Sequence, residues 1–137
     1  MTPKEYLQQY RYAVRRVAAA QEHRDELREI AERITPNYAS EGGGTHQSGD
    51  KLGSAVARII DAEKRVSAEI ELMIATKNDI ENTINAVNDD RLKDILYSRY
   101  ICGKKWEQIA VDLNIEYRWL LRLHGRALQE VKNEIDH

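Results

Sequence analysis

Apolar side chains recur at three- and four-residue intervals along two long stretches of the chain and again, over shorter distances, toward its C-terminal end. Each stretch predicts an amphipathic helix. The first opens with a capping box: the Thr2 hydroxyl can accept the third helical amide, Pro3 has no amide to leave unsatisfied, and Glu5 can reach back toward Thr2. Tyr6, Tyr10, Ala13, Val17, Ala20, Leu27, Ala31 and Ile34 then keep the spacing, interrupted at Arg24 and widened by Ile30. Pro36 disfavours the helical conformation of the residue before it, so this helix is expected to end at about Ile34.

From Thr35 to Asp50 the chain turns to Gly, Ser, Thr and Asn around Gly42-Gly43-Gly44, with little to bury, and a flexible connection over residues 35–50 is expected. The triple glycine lacks the Gly-Lys-Ser/Thr ending of a nucleotide loop and follows no strand, which argues against a phosphate cradle. A second helix should start near Asp50 or Lys51. Its stripe is Leu52, Val56, Ile59, Val66, Ile70, Met73, Ile80, Ile84 and Val87, with Glu63 and Lys77 at two seam positions. That is a coiled-coil period. Two such helices joined by this connector are expected to fold back as an antiparallel hairpin, each covering the other's stripe. The polar seam residues would fix its register or mark where a second copy packs.

Asn88-Asp89-Asp90 supplies a break and an N-cap, and Leu92, Ile95, Leu96 and Tyr100 predict a short support helix ending at Gly103. A third pattern follows. Ile109 and Ala110 mark the inner face of a short helix, Leu113 closes it, Asn114 suits a left-handed turn, and Ile115 plugs the corner. Leu120, Leu123, Ala127, Leu128 and Val131 define the next helix, leaving Arg118, Leu121, Arg122 and Arg126 outside the apolar stripe. Two short helices joined in this way read as a helix-turn-helix, and the cationic outer face suits a phosphate backbone. Trp106, one turn before Ile109, is expected to pack inside this three-helix unit. The predicted fold is thus all-α: a long antiparallel, coiled-coil-like hairpin over residues 1–88, then a three-helix helix-turn-helix domain over 89–137.

Composition changes this picture little. In 137 residues the chain has room for one globular unit at most beside an elongated element, and its formal net charge of −2 carries no nucleic-acid signal. Distribution says more. Between Arg99 and Arg126 six Lys/Arg (Arg99, Lys104, Lys105, Arg118, Arg122, Arg126) stand against three acids (Glu107, Asp112, Glu116). Cys102 is the single cysteine, so no intrachain disulfide can form. A reducing, cytoplasmic setting and a role as a small buried hydrophobe are expected. No apolar run approaches the roughly 20 residues of a membrane span, so no membrane partner is expected.

Arg99 to Leu128 resembles region 4 of sigma-70-type factors. The resemblance rests on Arg99-Tyr100, Gly103, Trp106, Ile109-Ala110, Leu113 and the run Arg122-Leu123-His124-Gly125-Arg126-Ala127-Leu128. The wider layout, two long helices around a Gly-rich connection before the motif, is similar to small regulators encoded in phages and prophages of Gram-positive bacteria. The resemblance implies a DNA-binding transcriptional regulator with double-stranded DNA as partner and RNA polymerase as a second candidate. Three positions depart from the pattern: Lys105 and Glu116 stand where a hydroxyl cap is usual, and Asn114 where glycine is usual.

On this reading the helix from about Tyr117 enters the major groove with its N-terminal turns nearest the bases. Tyr117, Arg118, Leu121 and Arg122 are the candidates for base contact, since arginine bonds guanine bidentately and an apolar side chain meets the thymine methyl. Lys104, Lys105 and Arg126 are the candidates for phosphate. One small motif binds weakly, so homo-oligomerisation through the long helices, or recruitment by RNA polymerase, is expected to add affinity. Two rivals stand beside it. In the first, the hairpin binds a protein partner such as RNA polymerase and the motif is only a folding unit. In the second the chain is an enzyme, but His23, His46, His124 and His137 are scattered, none with a metal spacing to another His or to Cys102. Asp89-Asp90 sits where a helix start favours negative charge. No catalytic residue, metal or cofactor is therefore expected.

Overall fold

The computed structural model describes residues 1–40 and 46–136, with side chains described for 1–34 and 49–136. Among the described residues every regular element is helical: α1 (Pro3–Ser40), α2 (His46–Asn85), α3 (Asp90–Leu96) leading into a π-helical turn (Tyr97–Ile101), α4 (Trp106–Asp112) and α5 (Tyr117–Ile135). The capping box forms, with the Glu5 amide donating to Thr2 Oγ1 at 3.1 Å and the Thr2 amide facing Glu5 Oε2 at 3.5 Å. Both long helices run further than expected. α1 passes through Pro36 to Ser40 and α2 begins at His46 rather than near Asp50. A proline this close to a helix end removes one amide from the ladder without stopping the turn that contains it. The expected Gly42-Gly43-Gly44 connection lies outside the described residues.

The chain divides into two compact units, Arg15–Leu72 and Met1–Val14 with Met73–His137, so the ends of the two long helices belong with the C-terminal segment. In the first unit Val17, Ala20, Ala55, Ala62 and Val66 are buried. Arg16 pairs with Glu69 at 3.3 Å and Arg28 with Glu63, linking α1 to α2 within this unit. The seam residue Glu63 thus finds its cation within the chain. Val56 leaves the expected stripe: it is 45% exposed while Ala55 is buried. Ala55 and Ala62 occupy equivalent positions seven residues apart, and small side chains there let two helices come close.

In the second unit one core joins both ends of the chain. Leu7, Ile80, Ile84 and Val87 share it with Leu92, Ile95, Leu96, Tyr100, Ile101, Ile109, Leu120, Leu123, Ala127 and Val131. α1 and α2 are also tied here by polar contacts. The Tyr6 hydroxyl lies 2.8 Å from Thr83 Oγ1 and donates to the Asp79 carbonyl at 3.2 Å, and Lys77 sits 6.0 Å over the Tyr10 ring. Leu7, fully buried, stands outside the expected stripe of α1 although it is one of the largest enclosed side chains.

Asp89 caps α3 as its position predicts, its Oδ1 accepting from the amides of Arg91 at 2.9 Å and Leu92 at 3.2 Å. The helix then widens. The Cys102 amide donates to the Tyr97 carbonyl at 3.0 Å, five residues back, and consecutive Tyr100 and Ile101 are both buried. Gly103 ends the turn at a φ of 69°. Cys102 is exposed, contrary to its expected burial, because the two residues before it already fill the inward positions.

Candidate nucleic-acid interface

The turn between α4 and α5 is built by the backbone. Asn114 adopts a φ of 52°, its amide donates to the Val111 carbonyl at 3.2 Å, and the Ile115 amide donates to the Ala110 carbonyl at 2.9 Å. This is a Schellman closure, in which a left-handed residue turns the chain while two amides satisfy the last free carbonyls of α4. Ile115 and Ala110, the residues joined by the second of these bonds, both pack on the core. Ile109 and Leu120 are fully buried, and with Leu123, Ala127 and Val131 they hold α5 down by one stripe. Neither Lys105 nor Glu116, the residues preceding α4 and α5, makes a side-chain cap.

With that stripe turned inward, the opposite face of α5 is open. Arg118, Arg122 and Arg126 are exposed, as are Tyr117 and Leu121 at 41% and 40%. Among the described residues no acid pairs with Arg118 or Arg122. Arg126 lies with its guanidinium 5.2 Å over the Trp119 ring, a cation–π contact that leaves the charge outward while restricting the side chain. Trp119 was not a candidate from sequence, although its seven-residue spacing from Arg126 places both on one side of a helix. All four base-contact candidates therefore lie exposed on the first turns of a helix long enough, at 19 residues, to cross a groove.

The phosphate candidates divide. Lys105 is exposed and extended at the start of α4. Lys104 is held internally: its Nζ lies 2.9 Å from Asp112 Oδ2, while Gln108 Nε2 donates to Asp112 Oδ1 at 2.7 Å. Each partner shifts the other, Asp112 raising the Lys104 pKa above the usual lysine value and the Lys104 and Gln108 bonds lowering that of Asp112. Arg99, counted among the six local cations, is also engaged. It donates to the Lys104 carbonyl at 2.9 Å and stacks 4.7 Å over Trp106. The Lys104–Asp112 pair was not legible in the sequence, because Lys104 lies before α4 and no helical spacing fixes where its side chain falls relative to Asp112.

Comparison with protein-family models, with curated proteins and with solved structures finds no match to this chain. Its geometry has to speak for it.

Beneath the exposed face Trp106 packs on the core as expected, its ring 4.4 Å from that of His124. His124 Nε2 lies 2.7 Å from the Tyr100 hydroxyl. Burial, with Lys4 and Arg99 nearby, depresses the His124 pKa to about 4, and burial pushes Tyr100 up to about 12. The imidazole is therefore neutral near pH 7 and belongs to the packing beneath α5. Among the described residues no group of three or more His, Cys, Asp or Glu is arranged to hold a metal, and no helix is long and apolar enough to cross a membrane.

Proposed function

We infer that this protein is a sequence-specific duplex-DNA-binding protein, a transcriptional regulator of the phage and prophage kind. In this reading α1 and α2 form a long antiparallel hairpin, and α3 to α5 form a sigma region 4-like helix-turn-helix. The observation that carries it is the outward face of α5. Arg118 and Arg122 stand exposed there without acid partners among the described residues, on a helix anchored by a buried stripe behind a left-handed Asn114 turn. Exposed cations on the N-terminal turns of such a helix suit a major groove, with Tyr117 and Leu121 beside them for apolar base contact. Lys105 and Arg126 supply phosphate contacts, and Lys104 contributes less than its charge suggests because Asp112 already neutralises it.

Titration of duplex DNA at several salt concentrations tests this reading. Wild type should show a linear fall of log affinity with log salt, and Arg122→Ala should lose affinity with a slope smaller by about 1 if Arg122 meets phosphate. An unchanged slope and unchanged affinity would remove Arg122 from the interface.

A second reading draws on Val56 and Ile60, one helical turn apart on α2 and 45% and 50% exposed. Apolar side chains on a helix face suit a protein partner, either RNA polymerase or a second copy of the chain. Pull-down with polymerase in nuclease-treated extract separates this adaptor role from DNA binding.

A further inference from the structure

Gly125 stands in the interior of α5, and among the described residues nothing requires a glycine there. A Cβ added to it meets no atom within 4 Å, and its φ is not in the left-handed region. Glycine is the poorest helix former after proline, so an exposed one in mid-helix costs stability without any internal gain. Its place on the helix is informative. Arg118, Arg122, Gly125 and Gln129 follow one another at spacings of four, three and four, and all are exposed. The missing side chain therefore lies on the cationic outward face, opposite the buried stripe.

From Arg118 to Gly125 the helix rises about 10 Å, close to the roughly 12 Å width of a major groove. A helix whose Arg118 end reads bases thus brings Gly125 to the groove's edge, where a sugar-phosphate strand crosses. We propose that Gly125 is the point of closest approach between α5 and the DNA backbone, its bare Cα admitting the strand so that Arg126, steadied by Trp119, can reach a phosphate. The occupant is fixed by charge: Arg118, Arg122 and Arg126 surround the position, and a polyanion complements them. This inference rests on the DNA reading and goes further, assigning a contact to a residue that has no functional group.

The test sets Gly125→Ala beside Gly53→Ala, a second exposed helical glycine whose added Cβ would also meet nothing within 4 Å. Both variants should raise the Tm by roughly 2–5 °C, because alanine favours helix. Only Gly125→Ala should weaken binding of a selected duplex, by about tenfold, the scale of one charge-assisted hydrogen bond. If wild type binds duplex DNA and Gly125→Ala binds it within about twofold, the inference is overturned while the DNA reading stands. Absence of salt-dependent duplex binding by wild type overturns both. Two further outcomes also defeat it: a Tm that does not rise in Gly125→Ala, which would reveal an internal need for the glycine, and a change in sedimentation, which would place a second copy against this face.

Discussion

At the level of single residues, the charge available to a ligand is smaller than the charge written in the chain. Lys104 is spoken for by Asp112 at 2.9 Å, and the same carboxylate accepts from Gln108. Asp112 thus competes with any other anion for Lys104. Asp112→Asn should release Lys104, raising affinity for duplex DNA and steepening the salt slope by about 1; Lys104→Met in the same background should reverse both. No gain in the single variant would mean that Lys104 points away from the DNA. His124 gives a second expectation. Its folded pKa of about 4 lies below the ordinary 6.5, so the unfolded chain binds the proton more readily. The stability linked to this ring is complete above pH 6.5 and falls as the pH drops toward 4. The loss should be about 1–2 kcal/mol, less than the full shift implies because solvent still reaches part of the ring. Urea unfolding of wild type and His124→Gln across this range should show the difference shrinking toward acid pH.

Among the elements, those specified by neighbours in sequence were the legible ones. Asp89 before an apolar run announced a cap, Asn114 between Leu113 and Ile115 announced a left-handed turn, and the α5 stripe followed from spacing alone. Features decided by a partner element were not legible. Val56 and Ala55 are adjacent and either could face inward; the smaller is the one buried, a choice that spacing within α2 does not make. Gly103 combines both kinds. Its positive φ follows from ending a helix, but the closeness of its Cα to Arg11 does not: a Cβ there would lie 2.7 Å from the Arg11 guanidinium carbon. Gly103→Ala should therefore destabilise by about 1–2 kcal/mol in denaturant titration. Adding Arg11→Ala should not restore the loss, because Arg11 can swing aside while the backbone strain cannot; full recovery would show that the contact dominates.

For the molecule as a whole, the two compact units cut across the expected boundary near residue 88. Periodicity showed which face of each helix was apolar, but not that Leu7 and the end of α2 would cover the C-terminal helices, since each stripe is equally satisfied by any apolar partner. The consequence is measurable. A fragment of residues 89–137 lacks Leu7, Ile80, Ile84 and Val87, all at most 2% exposed. At about 1.5–3 kcal/mol for each buried side chain the loss is comparable to the whole stability of a small domain. The fragment should retain helical circular dichroism but melt without a cooperative transition; a sharp two-state melt would show that the three helices suffice alone. The same core also sets a timetable for the growing polypeptide. Leu7 leaves the ribosome long before Val131 is made, an interval on the order of ten seconds at usual elongation rates. Until the last helix arrives, the core around Leu7 lacks its C-terminal cover and stays open to chaperones and proteases.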